Sequence, residues 1–288
     1  MVRPFSFQTN EETASTNAFQ RTDHGSDVLK RALSEFEGLR NKLIAHGIEV
    51  VCQDEPTSAQ TPDAIFPNNW FAVLPDGNVF LFPMYAPNRR REVQPTWISP
   101  YLRQPQMIDL RSMCDRNLFL EGTGSLILNH DKKIGYACLS ERTNIEPIHE
   151  FERLSGYKIH TFHASDRSGL PFYHTNVMMA HGIKTAVVCL ESVTSENERK
   201  KLCDVFAEAG QKIIEISQDQ VLKFAGNMLL LSNRSGKRYW VCSESALQSL
   251  TPAQRSALEQ DGEFISSPLK TIEDVGGGSA RCMLGELY

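Results

Sequence analysis

Five short turns recur along the chain at nearly constant spacing, and each runs directly into an apolar segment. Their sequences are FPNNWFAVL, LEGTGSLIL, YHTNVMMA, FAGNMLLL and GGSARCML. One residue of each turn serves as a marker, and the successive gaps are 56, 51, 51 and 55 residues; the markers are Asn69, Ser125, Asn176, Asn227 and Cys282. Such spacing indicates repeated supersecondary units that bury their apolar faces against one another. The repeat therefore favours an architecture of similar units over an irregular one.

The segments between these turns predict alternating helices and strands. Apolar residues recur at three- and four-residue intervals in 27–47, 195–210 and 251–262, which predicts helices, and the segments QKIIEIS and EFISSP predict strands. Each unit reads as strand, helix, strand, turn and strand, so residues 1–288 are expected to form one α/β domain. Units of this size arranged radially form a propeller, in which equivalent turns converge at one end of the axis. An ordinary α/β domain with similar spacing by chance is the alternative.

Charge and cysteine usage exclude several classes of function. A net charge of -5 and an isoelectric point near 5.9 give no electrostatic reason to expect nucleic acid or an anionic membrane as a partner. The seven cysteines are scattered without a CxxC pair, which argues against a disulfide framework and a zinc site. No secretory leader and no membrane span is evident. The sequence thus predicts a cytoplasmic protein with reduced thiols.

The marker turns carry the residue types that thiol catalysis requires. Three glycines and a serine lead into Cys282, and glycine permits unusual backbone angles and close approach of another group. Attack on a carbonyl-like or amidine-like carbon needs a thiol, a proton shuttle and an orienting carboxylate, and His174 and Glu121 supply the last two. We expect Asn69, Glu121, His174 and Cys282 to share one pocket. Taken singly, Cys282 is also compatible with a small buried hydrophobe, His174 with a structural imidazole, and Glu121 and Asp63 with turn residues.

Four motifs, in this order, resemble those of the guanidine-modifying enzyme superfamily: PDAIFPNNW, LEGTGSLIL, YHTNVMM and GGGSARCM. These enzymes are the five-bladed pentein propellers that include arginine deiminases, amidinotransferases and dimethylarginine dimethylaminohydrolases. The segment RPFSFQTNEETASTNAFQ also resembles the amidinotransferase-like or citrulline-utilisation hydrolases. The resemblance covers the whole chain and implies an α/β propeller of strand-helix-strand-strand units around a pseudo-fivefold axis.

The resemblance also implies roles for individual residues. Cys282 is the expected nucleophile, His174 the general acid and base, and Glu121 the carboxylate that binds the terminal nitrogens of the substrate. Arg89 in PNRRREV and Arg142 in LSERTN match segments that offer an arginine to the substrate carboxylate, and a bidentate guanidinium suits that partner. The alternative for both is a surface arginine. No metal, nucleotide or flavin is implied.

Amides replace carboxylates where related deiminases hold a cationic guanidinium. Asn68 and Asn69 follow the PD segment of Asp63, and Asn176 lies two residues after the histidine. Amides are neutral and offer both a donor and an acceptor. Such a pocket suits a ureido group, so the sequence predicts that Asp63, Asn68, Asn69 and Asn176 bind L-citrulline. Hydrolysis through a covalent thioester would yield ornithine, ammonia and carbon dioxide.

Besides citrulline hydrolysis, the sequence leaves two other functions open. The same fold serves arginine or methylarginine deiminases, dihydrolases and amidinotransferases, which act on a guanidino group. A catalytically silent binding propeller is a third possibility, although such a module has no need of Cys282, His174 and Glu121 together. In each of the enzymatic alternatives the expected partner is a small amino-acid substrate, and the oligomeric state is left open.

Overall fold

A computed structural model describes residues 1–23, 25–56, 61–103 and 105–288 of the chain. Its strands are short, and they are β1 Val2–Arg3, β2 Gln53–Asp54, β3 Phe71–Val73, β4 Asn78–Leu81, β5 Gln106–Asp109, β6 Ile127–Asn129, β7 Ile134–Cys138, β8 Lys158–Phe162, β9 Met179–His181, β10 Thr185–Val188, β11 Lys212–Glu215, β12 Leu229–Ser232, β13 Arg238–Ser243 and β14 Glu263–Ser267. The α-helices are α1 Glu11–Ala14, α2 Val28–Ala45, α3 Gly122–Ser125, α4 Ile145–Ser155, α5 Glu196–Glu208, α6 Gln218–Val221, α7 Glu244–Ser249 and α8 Pro252–Leu258. Tighter 3₁₀ turns occupy Pro67–Asn69, Arg89–Glu92, Pro95–Trp97, Ser99–Tyr101, Arg111–Arg116, Thr175–Val177 and Leu190–Ser192, and a π-helical turn occupies Ile272–Gly276.

Four of the sheets repeat one topology. In each, the first strand pairs antiparallel with the second and the second pairs parallel with the third, giving β3-β4-β5, β6-β7-β8, β9-β10-β11 and β12-β13-β14. Strands β1 and β2 form a fifth sheet, which is parallel and two-stranded, and α2 lies between these strands in the chain. The predicted α/β class with small sheets is confirmed, and within the described residues no sheet closes on itself.

Three predicted helices form where the sequence has their start and stop signals. Helix α2 ends just before Gly47, whose φ of 77° suits glycine, and it buries Phe36, Leu39 and Leu43. Helix α5 begins at Ser195, whose side chain accepts a hydrogen bond from the backbone N–H of Glu198. Helix α8 begins at a capping box, and it ends at Leu258, four residues before the predicted limit.

The marker turns lie at the same end of the first strand in their sheets. The turn Pro67–Asn69 precedes β3, helix α3 precedes β6, and the turn Thr175–Val177 precedes β9. Helix α3 contacts both of the other turns, and β9 contacts β6 and β12. The hydroxyl of Thr175 donates to the carbonyl of Ser125 over 2.6 Å. The first strands therefore lie side by side and bring their turns to one place.

The apolar core consists of layers under these strands. One cluster joins β9 to β11, α5 and β7, and in it Tyr136 of β7 stacks on Phe206 of α5 at a centroid distance of 4.3 Å. A second packs α2 against β12 to β14 and includes Cys282. Burial of apolar area fixes the strands, and hence the turns at their ends. No helix in the described ranges has both the length and the apolar character to cross a membrane.

Candidate active site

A buried acid–imidazole pair forms where helix α3 meets the third marker turn. Glu121 precedes α3 and is fully buried, and its Oε2 lies 2.6 Å from Nε2 of His174. Its other oxygen accepts the backbone N–H of Tyr85 at 2.9 Å. The chain separation is 53 residues, so the two side chains meet only because the turns converge. The expectation that Glu121 and His174 share one site agrees with this geometry.

The charge states of this pair follow from burial and from neighbouring charges. Burial alone would raise the pKa of Glu121, but the hydrogen bond from His174 and the charge of Arg142 outweigh it and lower that pKa to about 2. Burial lowers the pKa of His174 to about 4, although Glu121 opposes this. At neutral pH, Glu121 is therefore anionic and His174 is neutral, with its Nε2–H donated to Glu121.

Arg142 lies beside the pair and is held by the N-terminal segment. Its Nη1 is 3.7 Å from Glu121 Oε2. Its Nε donates to the hydroxyl of Thr16 at 3.0 Å and its Nη2 to the carbonyl of Thr13 at 2.9 Å. The guanidinium also lies 4.8 Å from the ring centroid of Tyr173. Arg142 is therefore a buried part of the site, with protein partners on several of its N–H groups.

Arg89 is buried as well, unlike its neighbours in the basic run. Only 2% of it is exposed, and it forms a bidentate pair with Glu92 in which both N–O distances are 2.9 Å. Its Nη1 donates to Oδ1 of Asn69 at 2.8 Å. The alternative that Arg89 is a surface arginine is therefore wrong. Its burial is possible because Glu92, three residues later, compensates its charge. Its role toward a substrate carboxylate stays a prediction.

Three buried polar atoms of the cluster have no hydrogen-bond partner among the described residues: Asp63 Oδ1, Asn68 Nδ2 and Asn176 Oδ1. Asp63 Oδ2 accepts from Asn10 at 2.7 Å and lies 3.7 Å from Arg89 Nε. Burial raises the pKa of Asp63 and raises that of Glu92 to about 8, against the pull of Arg89. Buried polar groups are rarely left unpaired. Two acceptors and one donor therefore lack partners in the cluster.

Cys282 is 4% exposed and receives two amide N–H groups on its sulfur. Asn176 Nδ2 and Asn227 Nδ2 each lie 3.3 Å from Sγ. Because the backbone of Thr175–Val177 follows His174 directly, this contact links the thiol to the Glu121–His174 pair. In the sequence, Asn227 was identified only as a marker of the repeat, and no role in the site was predicted for it. Its position at the turn equivalent to that of Asn176 was the one signal that pointed to it.

The glycine-rich approach to Cys282 is anchored rather than loose. Ser279 accepts the backbone N–H of Cys282 at 3.0 Å and donates its hydroxyl to Glu273 at 2.6 Å. Gly277 has a φ of 65° and accepts the hydroxyl of Tyr173, the residue before His174, at 2.5 Å. Glu273, a buried carboxylate of the π-helical turn, also accepts from Ser245 at 2.6 Å. The segment thus holds the thiol at a defined position.

The N-terminal segment makes direct hydrogen bonds to residues of the site. Asn10 bonds Asp63 and Asn88, and Thr16 bonds Arg142. Cavities of 650, 400 and 240 Å³ border the site through residues next to it in the chain: Pro67 lines the first, Arg281 the second and Tyr173 the third. Within the described ranges, no group of three or more His, Cys, Asp or Glu is arranged to hold a metal ion.

Comparisons with known proteins bear on this arrangement. The family model described as N,N dimethylarginine dimethylhydrolase, eukaryotic, matches residues 3–288. A search of curated proteins gives no match. The substrate-bound N-terminal domain of ArgZ, an arginine dihydrolase from the ornithine-ammonia cycle in cyanobacteria, is 14% identical with a TM-score of 0.76, and the alignment covers 98% of this chain and 95% of that one.

Two further solved structures share the fold. Full-length ArgZ without ligand has a TM-score of 0.77 and 14% identity over 100% of this chain, which spans only 40% of that longer protein. A dimethylarginine dimethylaminohydrolase variant with an S-methyl-L-thiocitrulline adduct has a TM-score of 0.63 and 12% identity over 98% of this chain and 96% of that one. These descriptions name arginine and dimethylarginine enzymes, whereas the sequence predicted citrulline as the substrate. The family match over nearly the whole chain confirms the resemblance: the chain belongs to the N,N-dimethylarginine dimethylhydrolase family, and with it to the pentein superfamily of arginine-modifying enzymes.

Proposed function

We propose that the protein is a cysteine hydrolase that cleaves a guanidino C–N bond of arginine or a methylated arginine. One observation carries this proposal: the site holds buried acceptors, Asp63 Oδ1 and Asn176 Oδ1, without partners among the described residues, close to the anion of Glu121. A guanidinium group offers several N–H donors and one positive charge. A guanidinium group would therefore donate hydrogen bonds to the unpaired acceptors and place a positive charge beside the carboxylates.

The charge of the buried cluster supports a cationic substrate. With His174 neutral, three carboxylates face two guanidinium groups; they are Asp63, Glu92 and Glu121 against Arg89 and Arg142. One negative charge is left over when all the carboxylates are ionised, and an uncompensated buried charge is costly. Burial raises the pKa values of Asp63 and Glu92, and the charge of Glu121 adds to this rise. A substrate cation would compensate the excess negative charge without uptake of a proton.

These charges replace the earlier argument for citrulline. The sequence predicted that the neutral amides of Asn68, Asn69 and Asn176 would bind the ureido group. Asn69 instead bonds Arg89 and Asn68, and Asn176 donates to Cys282. Asp63 adds a second anion to the site. The names of the similar solved enzymes, arginine dihydrolase and dimethylarginine dimethylaminohydrolase, favour the guanidino class as well.

The proposed reaction uses the residues at the sulfur and at the buried pair. The Cys282 thiolate attacks the guanidino carbon and forms a C–S bond. His174, which is neutral at the start, takes the proton that the Cys282 thiol releases. The C–N bond to the terminal nitrogen then breaks, and ammonia or the methylated amine leaves with that proton from His174. Water, deprotonated by His174, then hydrolyses the covalent adduct and returns the thiol. Arginine and one water thus give citrulline and ammonia, while Glu121 keeps the imidazole oriented.

Hydrolysis of a ureido group is a second candidate, and Asn68 favours it. Its Nδ2 is a buried donor without a partner among the described residues, while its Oδ1 accepts from Asn69 at 3.1 Å. A guanidinium has no acceptor for this donor, but the carbonyl oxygen of a ureido group does. A site that accepts both groups would continue from arginine to ornithine.

We also propose that residues 1–288 form a single five-bladed propeller around a pseudo-fivefold axis. The shared topology of four sheets and the adjacency of their first strands support this. In addition, β1 and β2 pair in parallel, as the second and third strands of the other units do, and α2 lies between them in the chain. An experimental structure whose units are not related by successive similar rotations about one axis would contradict it.

Product identification tests the proposed function. Purified protein is incubated with arginine, asymmetric dimethylarginine or citrulline, and the products are identified by mass spectrometry. We expect a higher kcat/KM for a guanidino substrate than for citrulline, and no turnover by Cys282→Ser. Asp63→Asn should lower kcat/KM for arginine by roughly ten- to a hundredfold, because one buried counter-ion is lost, and should affect citrulline less. Consumption of citrulline alone would reverse the order of the two candidates.

A further inference from the structure

The sulfur of Cys282 is a hydrogen-bond acceptor in this site. Asn176 and Asn227 approach it from two turns that are 51 residues apart in the chain, each with an N–S distance of 3.3 Å. A neutral thiol is a weak acceptor, whereas a thiolate accepts N–H groups strongly. Both amide donors would therefore bind a thiolate more strongly than a thiol.

The amide of Asn227 has one orientation only. Its Oδ1 accepts the backbone N–H of Arg281 at 3.0 Å, and its Nδ2 donates to the backbone carbonyl of Asn176 at 3.0 Å. Exchanging the amide O and N would place donor against donor and acceptor against acceptor. The second N–H of Asn227 is thus left for the sulfur. Asn176 has no such constraint, since its Oδ1 lacks a partner among the described residues.

We propose that Asn227 is a catalytic residue that stabilises the Cys282 thiolate by donating a hydrogen bond to it. The role rests on the proposed function, in which this thiolate attacks the substrate. Asn227 is 1% exposed, so its bond to the sulfur is formed where little water competes, and such bonds to charged acceptors are strong. Through Arg281 it also holds the backbone next to the nucleophile.

A neutral donor fits the substrate class better than a cation does. Thiolates in other sites are commonly stabilised by Lys, Arg or protonated His. A positive charge in contact with the sulfur would repel an incoming guanidinium. An amide stabilises the thiolate without that repulsion, which connects the choice of Asn227 to a cationic substrate.

The test measures the thiolate without any substrate. Alkylation of Cys282 by iodoacetamide is followed between pH 5 and 10, a range of about five pH units around the ordinary thiol titration, with peptide mass spectrometry to separate this cysteine from the other six. The variants are Asn227→Ala and the control Asn129→Ala. Asn129 is a buried amide whose Oδ1 accepts the N–H of Lys132 at 3.1 Å. Its removal leaves the contacts of the sulfur intact.

We expect Asn227→Ala to move the midpoint of the pH profile upward by about one to two pH units, the equivalent of one hydrogen bond to a charged group, and Asn129→Ala to leave it in place. If Asn227→Ala does not fold, Asn227→Asp retains the acceptor for Arg281, lacks the donor and should also raise the midpoint. An unchanged midpoint in a folded variant overturns the proposal, as does loss of the fold in both. Arginine turnover is measured in parallel: a shifted midpoint in a protein that turns over no guanidino substrate would reject the proposed function and retain the role of Asn227.

Discussion

Asp63 and Glu92 are the residues whose protonation the site makes unusual. Both are buried, and burial raises both pKa values, that of Glu92 to about 8, although Arg89 opposes this. The protonated form of Glu92 therefore persists to neutral pH. A cation bound nearby stabilises the ionised carboxylates and lowers these pKa values, so binding and proton release are linked.

This linkage predicts how arginine binding depends on pH. In the inactive Cys282→Ser protein, affinity for arginine should rise between pH 6 and 8, by up to about tenfold per pH unit for one linked proton, and level off above the raised pKa. Calorimetry in two buffers of different ionisation enthalpy measures the released proton directly. Glu92→Gln should flatten the dependence. An affinity that falls as pH rises toward 8 would have the wrong sign for this site.

Among the elements, helix α3 has the closest contacts with its neighbours. A Cβ atom on Gly124 would lie 2.7 Å from Nδ1 of His174 and closer still to Nδ2 of Asn69. Only glycine lets the turns of three sheets approach in this way. The position of the imidazole therefore depends on the absence of a side chain in α3.

Replacing Gly124 by alanine should displace His174. We expect Gly124→Ala to reduce kcat for the guanidino substrate by roughly a hundredfold, the cost of about 1 Å of misplacement. Gly38→Ala in α2 is the matched control, because its Cβ would meet only Ser267 Oγ at the ordinary distance of 3.5 Å. Steady-state kinetics and melting temperature are compared for both. Full activity of Gly124→Ala would mean that the imidazole does not need this packing.

The elements also explain how far the sequence could predict the site. The turns before β3, β6 and β9 were predictable because Gly and Asn in a turn, followed by an apolar run, are local signals. The partners of each side chain were not, since Arg89 meets Glu92 and Asn69 only after the loop folds inward. The citrulline prediction lost its support for the same reason. The amides that were expected to bind the ureido group form hydrogen bonds to protein groups instead: Asn69 bonds Arg89, and Asn176 bonds Cys282.

Over the whole molecule, the site joins segments from Asn10 to Cys282. The N-terminal segment contributes hydrogen bonds to Asp63 and Arg142. These could not be predicted, because polar residues of an irregular segment carry no periodic signal. Convergence of the marker turns, in contrast, followed from repetition alone.

The central claim is that Cys282 attacks a guanidino carbon, and trapping the covalent intermediate tests it most directly. The protein is mixed with arginine or asymmetric dimethylarginine, quenched in acid during turnover, digested and analysed by mass spectrometry. We expect the peptide with Cys282 to carry the substrate minus its departing amine. Turnover of either substrate without an adduct on Cys282, or with the adduct on another residue, would contradict it.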